Sequence, residues 1–181
     1  MEHIGNLESA EQKVLADSSL LLKTLRENCA AEPDSAADAV RILANIRDLA
    51  YENLNQIQHE YLILLAARYL AEQAVVPADT SWQWNPRQTG GSSEPDLQGS
   101  AGAAVLVSAE ITTSRRPVGT IDKRMRTTLA KLNGFAGQRF YFVRTSAMAT
   151  RASTIVKAND DSISNDDSIS VVILPHGADE L

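Results

Sequence analysis

From Asp34 to Val76 the chain contains neither proline nor glycine, and Pro33 and Pro77 bracket that run. Proline removes a backbone donor and clashes with the preceding turn, and glycine loosens a helix. A stretch free of both predicts one or two long helices. Apolar residues recur there at Ala39, Val40, Leu43, Ile46, Leu49, Leu54 and Ile57, the stepping of a helix face. Asp34 or Ser35 is placed to cap its start. Between Leu62 and Ala67 the sequence is apolar all round, so that part should be buried. Residues 7–31 also look helical, with Leu7, Val14, Leu15, Leu21, Leu22 and Leu25 as their apolar positions. His3 falls in a terminus expected to fray.

After Pro77 the pattern changes to short strands. Ser81 to Asn85 alternates, with Trp82 and Trp84 on one face, a spacing that suits core packing. Arg87 to Ser93 reads as a Gly/Ser loop. Two acids then flank a predicted hairpin: Pro95-Asp96 at its start and Glu110 at the end of a strand through Val105 and Val107. If the turn closes around Gly102-Ala103, Asp96 pairs opposite Glu110. Directly opposed residues have Cβ atoms roughly 4.5–5.5 Å apart, a costly distance for two like charges, and a divalent cation would neutralise them. Val105, Val107, Ala109 and Ile111 share the face suited to a core. Ser108, Glu110 and Thr112 share the other, with Leu106 its one apolar member. That polar face would either line a cleft or be solvated. Thr120 is the expected cap of a helix through Leu132, stopped at Asn133-Gly134. A strand over Arg139 to Thr145, a helix over 149–158 and a last strand over 169–174 complete the order.

Charge is unevenly distributed. Residues 1–112 carry 16 acids and 7 bases, residues 113–157 carry 10 bases and one acid, and residues 158–181 carry 6 acids and no base, for a net −6. A block of +9 directly after the acid pair suits a polyanion-binding surface. Arg115 and Arg116 open it, and Lys123, Thr127 and Lys131 follow at four-residue spacing, with Arg124 beside them.

Several chemistries find no support. The chain has no run of about 18 apolar residues and no leader-like start. Cys29 is the single cysteine, which excludes an intrachain disulfide and fits a reducing, cytoplasmic setting. His3, His59 and His176 show no metal-ligand spacing, and neither a P-loop nor a nucleophile elbow is present. Asp160 to Ser164 and Asp166 to Ser170 form a five-residue duplication that lacks the glycine and terminal glutamate of an EF-hand and reads as an acidic loop.

The element order, with acids on the second and third strands of a central set, resembles the PD-(D/E)xK nuclease superfamily. The likeness spans about residues 50–145 and rests on Pro95-Asp96 and on Glu110-Ile111-Thr112. It implies an α/β fold with a restriction-endonuclease-like central mixed β-sheet flanked by helices. It further implies a metal-dependent endonuclease of the type II restriction kind, cutting double-stranded DNA as a homodimer with one or two Mg²⁺ ions on Asp96 and Glu110. Glu60 matches the further acid that such proteins carry on the preceding helix. Thr112 stands where the motif has lysine, and Lys123 is the expected replacement. Arg115, Arg116, Lys123, Arg124 and Lys131 are the expected DNA contacts. Residues 1–48 would form a helical extension for dimerisation and residues 49–181 the nuclease-like core. Two other readings stand beside this one: a catalytically inactive DNA-binding or regulatory module of the same fold, and a helical interaction module with no nucleic-acid role.

Overall fold

The structure is a computed structural model and describes residues 1–4, 6–85, 93–159 and 168–174, apart from the side chains of Glu52 and Asn159. The Gly/Ser loop, the duplicated acidic segment up to Asp167, and His176 lie outside the described residues. In chain order the elements are β1 (Glu2–Ile4), α1 (Leu7–Cys29), α2 (Ala36–Glu72), β2 (Ser81–Trp84), β3 (Leu97–Ala101), β4 (Ala104–Ile111), α3 (Thr120–Leu132), β5 (Gln138–Val143), α4 (Ser146–Asn159) and β6 (Ile169–Ile173).

The stretch without proline or glycine folds as one helix of 37 residues, about 55 Å long at 1.5 Å per residue. Ser35 caps it by accepting from the Asp38 amide at 3.2 Å, which satisfies one of the orphan donors of the first turn. α1 packs beside it as the other arm of a hairpin. α2 passes residue 48 unbroken, so the expected boundary between extension and core falls inside a helix. Its buried second half, Leu62 to Leu70, is pressed against the sheet.

The six strands lie in chain order, β1 to β6. The first four pair antiparallel, and β4, β5 and β6 pair in parallel. α3 and α4 make the two crossovers that parallel neighbours require. The mixed sheet flanked by helices therefore has the coarse α/β architecture expected of the sequence. Leu62, Ile63, Leu64 and Leu70 form one core with Trp84, Val107, Ala109, Ile111 and Phe142. The second core lies among Met125, Leu129 and Leu132 of α3, Met148 and Ile155 of α4, and Tyr141 and Val143 of β5. Each fully buried side chain of this size contributes about 1.5–3 kcal/mol.

Several local expectations are corrected. His3 belongs to β1, paired opposite Gln83, with Ile4 buried in the core. Gly119, at φ +55°, precedes the first residue of α3, so Thr120 begins that helix rather than capping it. Cys29 is exposed.

The hairpin contains a detail on which the acids depend. A two-residue turn at Gly102-Ala103 pairs Ala101 with Ala104 and Ser100 with Val105. Continued regularly, that register would set Asp96 against Ala109. Instead Gly99 pairs with Val107 and Leu97 with Ala109, leaving Leu106 as an extra residue on β4. This is a β-bulge, and one further step of the shifted register brings Asp96 opposite Glu110. Gly137, at φ +77°, lies against it: a Cβ there would fall 2.6 Å from the Leu106 carbonyl. Only glycine fits so close a backbone approach at positive φ.

Candidate functional site

Asp96 and Glu110 are 3% and 4% exposed. Their face of the sheet is not solvated, because α3 lies over it; Ser108, on the same side, is fully buried and donates to the Ala136 carbonyl at 2.8 Å. The Asp96 carboxylate is fixed from two sides. Its Oδ2 accepts from the Ile111 amide at 2.8 Å, and His59 Nε2 of α2 stands 3.4 Å away.

Glu110 faces a different partner. Lys131 Nζ of α3 approaches its Oε1 to 2.8 Å and also donates to the Glu94 carbonyl at 2.9 Å. Burial raises the Glu110 carboxyl from the ordinary carboxylate range to about 7, and the charge of Asp96 pushes the same way. The Lys131 ammonium opposes both. Two buried carboxylates thus lie close together, with the Lys131 ammonium at Glu110 and His59 at Asp96, an arrangement that favours holding one proton or accepting further positive charge.

Tyr141 pairs with Glu110 in the β4–β5 register and is buried beside it. Its phenol shares a hydrogen bond with the side chain of Thr112, and burial raises its ionisation well above the usual phenol range. Thr112 is therefore part of a neutral hydrogen-bonded pair.

Of the expected site residues, Asp96, Glu110 and Lys131 come together. Lys123 does not join them: it is exposed two turns earlier on the same stripe of α3, about 12 Å along the axis from Lys131. Glu60 is buried, 1% exposed, but is held elsewhere: Lys13 Nζ of α1 lies 2.9 Å from its Oε1, and Gln56 Nε2, one turn back on α2, donates to the same oxygen at 3.2 Å. Among the described residues its Oε2 has no hydrogen-bond partner. His59, which the sequence left without a role, is the α2 residue that reaches Asp96. The four-residue stepping of Lys123, Thr127 and Lys131 was the available signal for Lys131; nothing in the sequence singled out His59.

The basic block divides in the same way. Arg144 is buried and donates to the Thr113 carbonyl, and Arg139 donates to the Asn133 carbonyl at 2.8 Å. Arg151 and Arg126 both bind Asp122, whose carboxyl the Arg151 hydrogen bond holds down at about 2. Arg115, Arg116, Lys123 and Arg124 are exposed, on the segment before α3 and its first turn.

Among the described residues no group of three or more His, Cys, Asp or Glu side chains is arranged to hold a metal ion. Asp96 and Glu110 are a two-carboxylate donor set, the hard oxygen kind that Mg²⁺ takes. No protein-family model matches the chain, and neither a curated protein nor a solved structure matches it.

Proposed function

We propose that the chain is a metal-dependent endonuclease related to the PD-(D/E)xK superfamily, hydrolysing phosphodiester bonds in double-stranded DNA. The observation that carries this reading is the buried pair Asp96 and Glu110 on adjacent strands, with the Lys131 ammonium at one of them. Asp96 and Glu110 would hold one or two Mg²⁺ ions. Bound there, the metal would polarise the scissile phosphate and lower the pKa of a water.

The chain's own residues supply the rest. The Ile111 amide and His59 fix the Asp96 carboxylate. Lys131 takes the role of the motif lysine, offering the positive charge that Thr112 cannot. Arg115, Arg116, Lys123 and Arg124 form an exposed basic flank for the phosphate backbone, where contacts position the duplex without reading its sequence.

Thr112 and its bond to Tyr141 favour a second reading, a non-cleaving DNA-binding module of the same fold. One experiment separates the two. Mixed-sequence duplex DNA is incubated with millimolar Mg²⁺ or Mn²⁺ and wild type, Asp96→Ala, Glu110→Ala, Lys131→Ala or Lys123→Ala. The nuclease reading expects cutting by wild type that Asp96→Ala, Glu110→Ala and Lys131→Ala lose, and that Lys123→Ala only weakens, through its phosphate contact. Salt-dependent binding without cutting supports the second reading. Neither cutting nor binding overturns both.

A further inference from the structure

The hairpin of α1 and α2 has an outer face that the other described residues leave uncovered. Leu15 and Leu22 of α1 are 58% and 54% exposed and lie seven residues apart, so they share one stripe. On α2, Val40, Leu43, Tyr51 and Leu54 are also exposed and fall within one stripe. The stripes adjoin on the same side of the hairpin. Leu15 and Leu54 line an open groove of roughly 810 Å³ toward the sheet end, and Cys29 and Leu43 line a smaller one near the hairpin tip. Single exposed leucines need no explanation, whereas a continuous apolar face of this length marks an interaction surface.

The sequence of α1 says what covers it. Reading outward from the Ser18–Ser19 bond, Leu15 on one side matches Leu22 on the other, and Glu11 matches Arg26. Small side chains at the centre, leucines beyond them and opposite charges at the ends make the stripe complementary to itself when reversed. A two-fold axis imposes that reversal, bringing residue i of one chain to residue j of the other and j to i. Glu11 already accepts from Arg68 at 2.7 Å, and a carboxylate can accept a second guanidinium. Arg26 is exposed in the last turn of α1.

We infer that two copies of this chain associate through the α1–α2 hairpins as an antiparallel four-helix bundle, with the Ser18–Ser19 bonds at the two-fold axis. Leu15 of each copy packs against Leu22 of the other, and Glu11 pairs with Arg26 across the interface. The face is about 33 Å long by 20 Å wide, from the helical rise and spacing. It covers about 650 Å² per copy, near the lower end for specific interfaces. We expect so small an interface to dissociate on dilution. This inference is independent of the nuclease reading, because it uses no residue of the acid site.

Sedimentation of the full chain across roughly 1–200 µM, the range in which an interface of this size dissociates, tests it. The expected result is a mass twice 19.6 kDa that falls to the monomer on dilution. Leu15→Glu and Leu22→Glu each give a monomer with an unchanged helical circular dichroism spectrum. Glu11→Arg or Arg26→Glu alone weakens the dimer about tenfold, as expected for losing one ion pair and gaining a like-charge contact, and the double swap restores it. Oxidation crosslinks Ser18→Cys in a Cys29→Ser background. Wild-type Cys29 stays uncrosslinked, because its partner lies about 30 Å away. A monomer at every concentration overturns the inference, as does a dimer that survives both leucine substitutions. Crosslinking through Cys29 but not through position 18 overturns the antiparallel arrangement.

Discussion

Lys131 and Glu110 meet at 2.8 Å across the gap between α3 and the sheet, with the lysine a quarter exposed and the glutamate almost wholly buried. The helix places a cation over a strand whose own sequence provides none at Thr112. Met125, Leu129 and Leu132 anchor α3 on the core beneath, so the position of Lys131 follows from packing. Its ammonium compensates Glu110, while His59 stands beside Asp96.

That compensation should be pH-dependent. Lys131→Met is expected to destabilise the protein by about 2 kcal/mol at pH 8, where Glu110, deprived of its counter-ion, must either stay charged in a buried site or take up a proton. At pH 5 the glutamate already holds a proton, and the loss should be small. Urea unfolding of wild type and variant at the two pH values measures the difference. An equal loss at both would show that the ammonium contributes through packing alone.

Glu110 itself sets a slope of stability against pH. Its carboxyl titrates near 7 in the fold against an ordinary 4.5. The native state therefore binds more protons than the unfolded chain between those values, and stability falls as pH rises through that window. The fall should total about 3 kcal/mol for a shift of this size. Glu110→Gln keeps the shape and removes the slope. Chemical denaturation from pH 4.5 to 8, compared between the two proteins, reads it directly.

Divalent cations should act on the same proton. If Asp96 and Glu110 hold Mg²⁺, millimolar Mg²⁺ raises the melting temperature at pH 8 by several degrees and has little effect at pH 5, where a proton competes for the site. Asp96→Asn and Glu110→Gln each abolish the rise. An equal rise in all three proteins would assign the effect to ions bound elsewhere.

Gly137 offers a test of the geometry behind the acids. An alanine there would drive its Cβ into the Leu106 and Val107 backbone and hold a strained φ. Gly137→Ala is expected to cost about 3 kcal/mol or more in urea unfolding. Gly102→Ala, at a similar φ but with nothing within 4 Å, should cost about 1 kcal/mol.

The sequence was most informative where one physical rule acts alone. Missing helix breakers and a serine cap located α2, and the end of α3 at Leu132 was legible from the Asn133-Gly134 stop, whereas its start falls one residue earlier than a cap at Thr120 implies. The alternation through Val107, Ala109 and Ile111 told which face met the core. It could not tell that α3 would cover the other face, since that follows from a crossover spanning two parallel strands. Nor could four-residue spacing say which of Lys123 and Lys131 stands over Glu110, because both occupy one stripe and only tertiary packing selects the turn. β1 is three residues long, too short for any alternation to register. His59 reaches Asp96 only because α2 lies across the sheet. The basic block misled in part, since charge counted along the chain does not distinguish Arg144, buried, from Arg116, exposed.

Leu106 carries a consequence that concerns parity. Asp96 and Glu110 are separated by an odd number of residues, and a regular hairpin with a two-residue turn can oppose only residues separated by an even number. The bulge absorbs the odd one. Deleting Leu106 should therefore leave the two carboxylates facing each other. A single residue added to either strand would carry Asp96 to the opposite surface of the sheet with every chemical group intact. Substitutions at this site test its chemistry; insertions and deletions test its arithmetic.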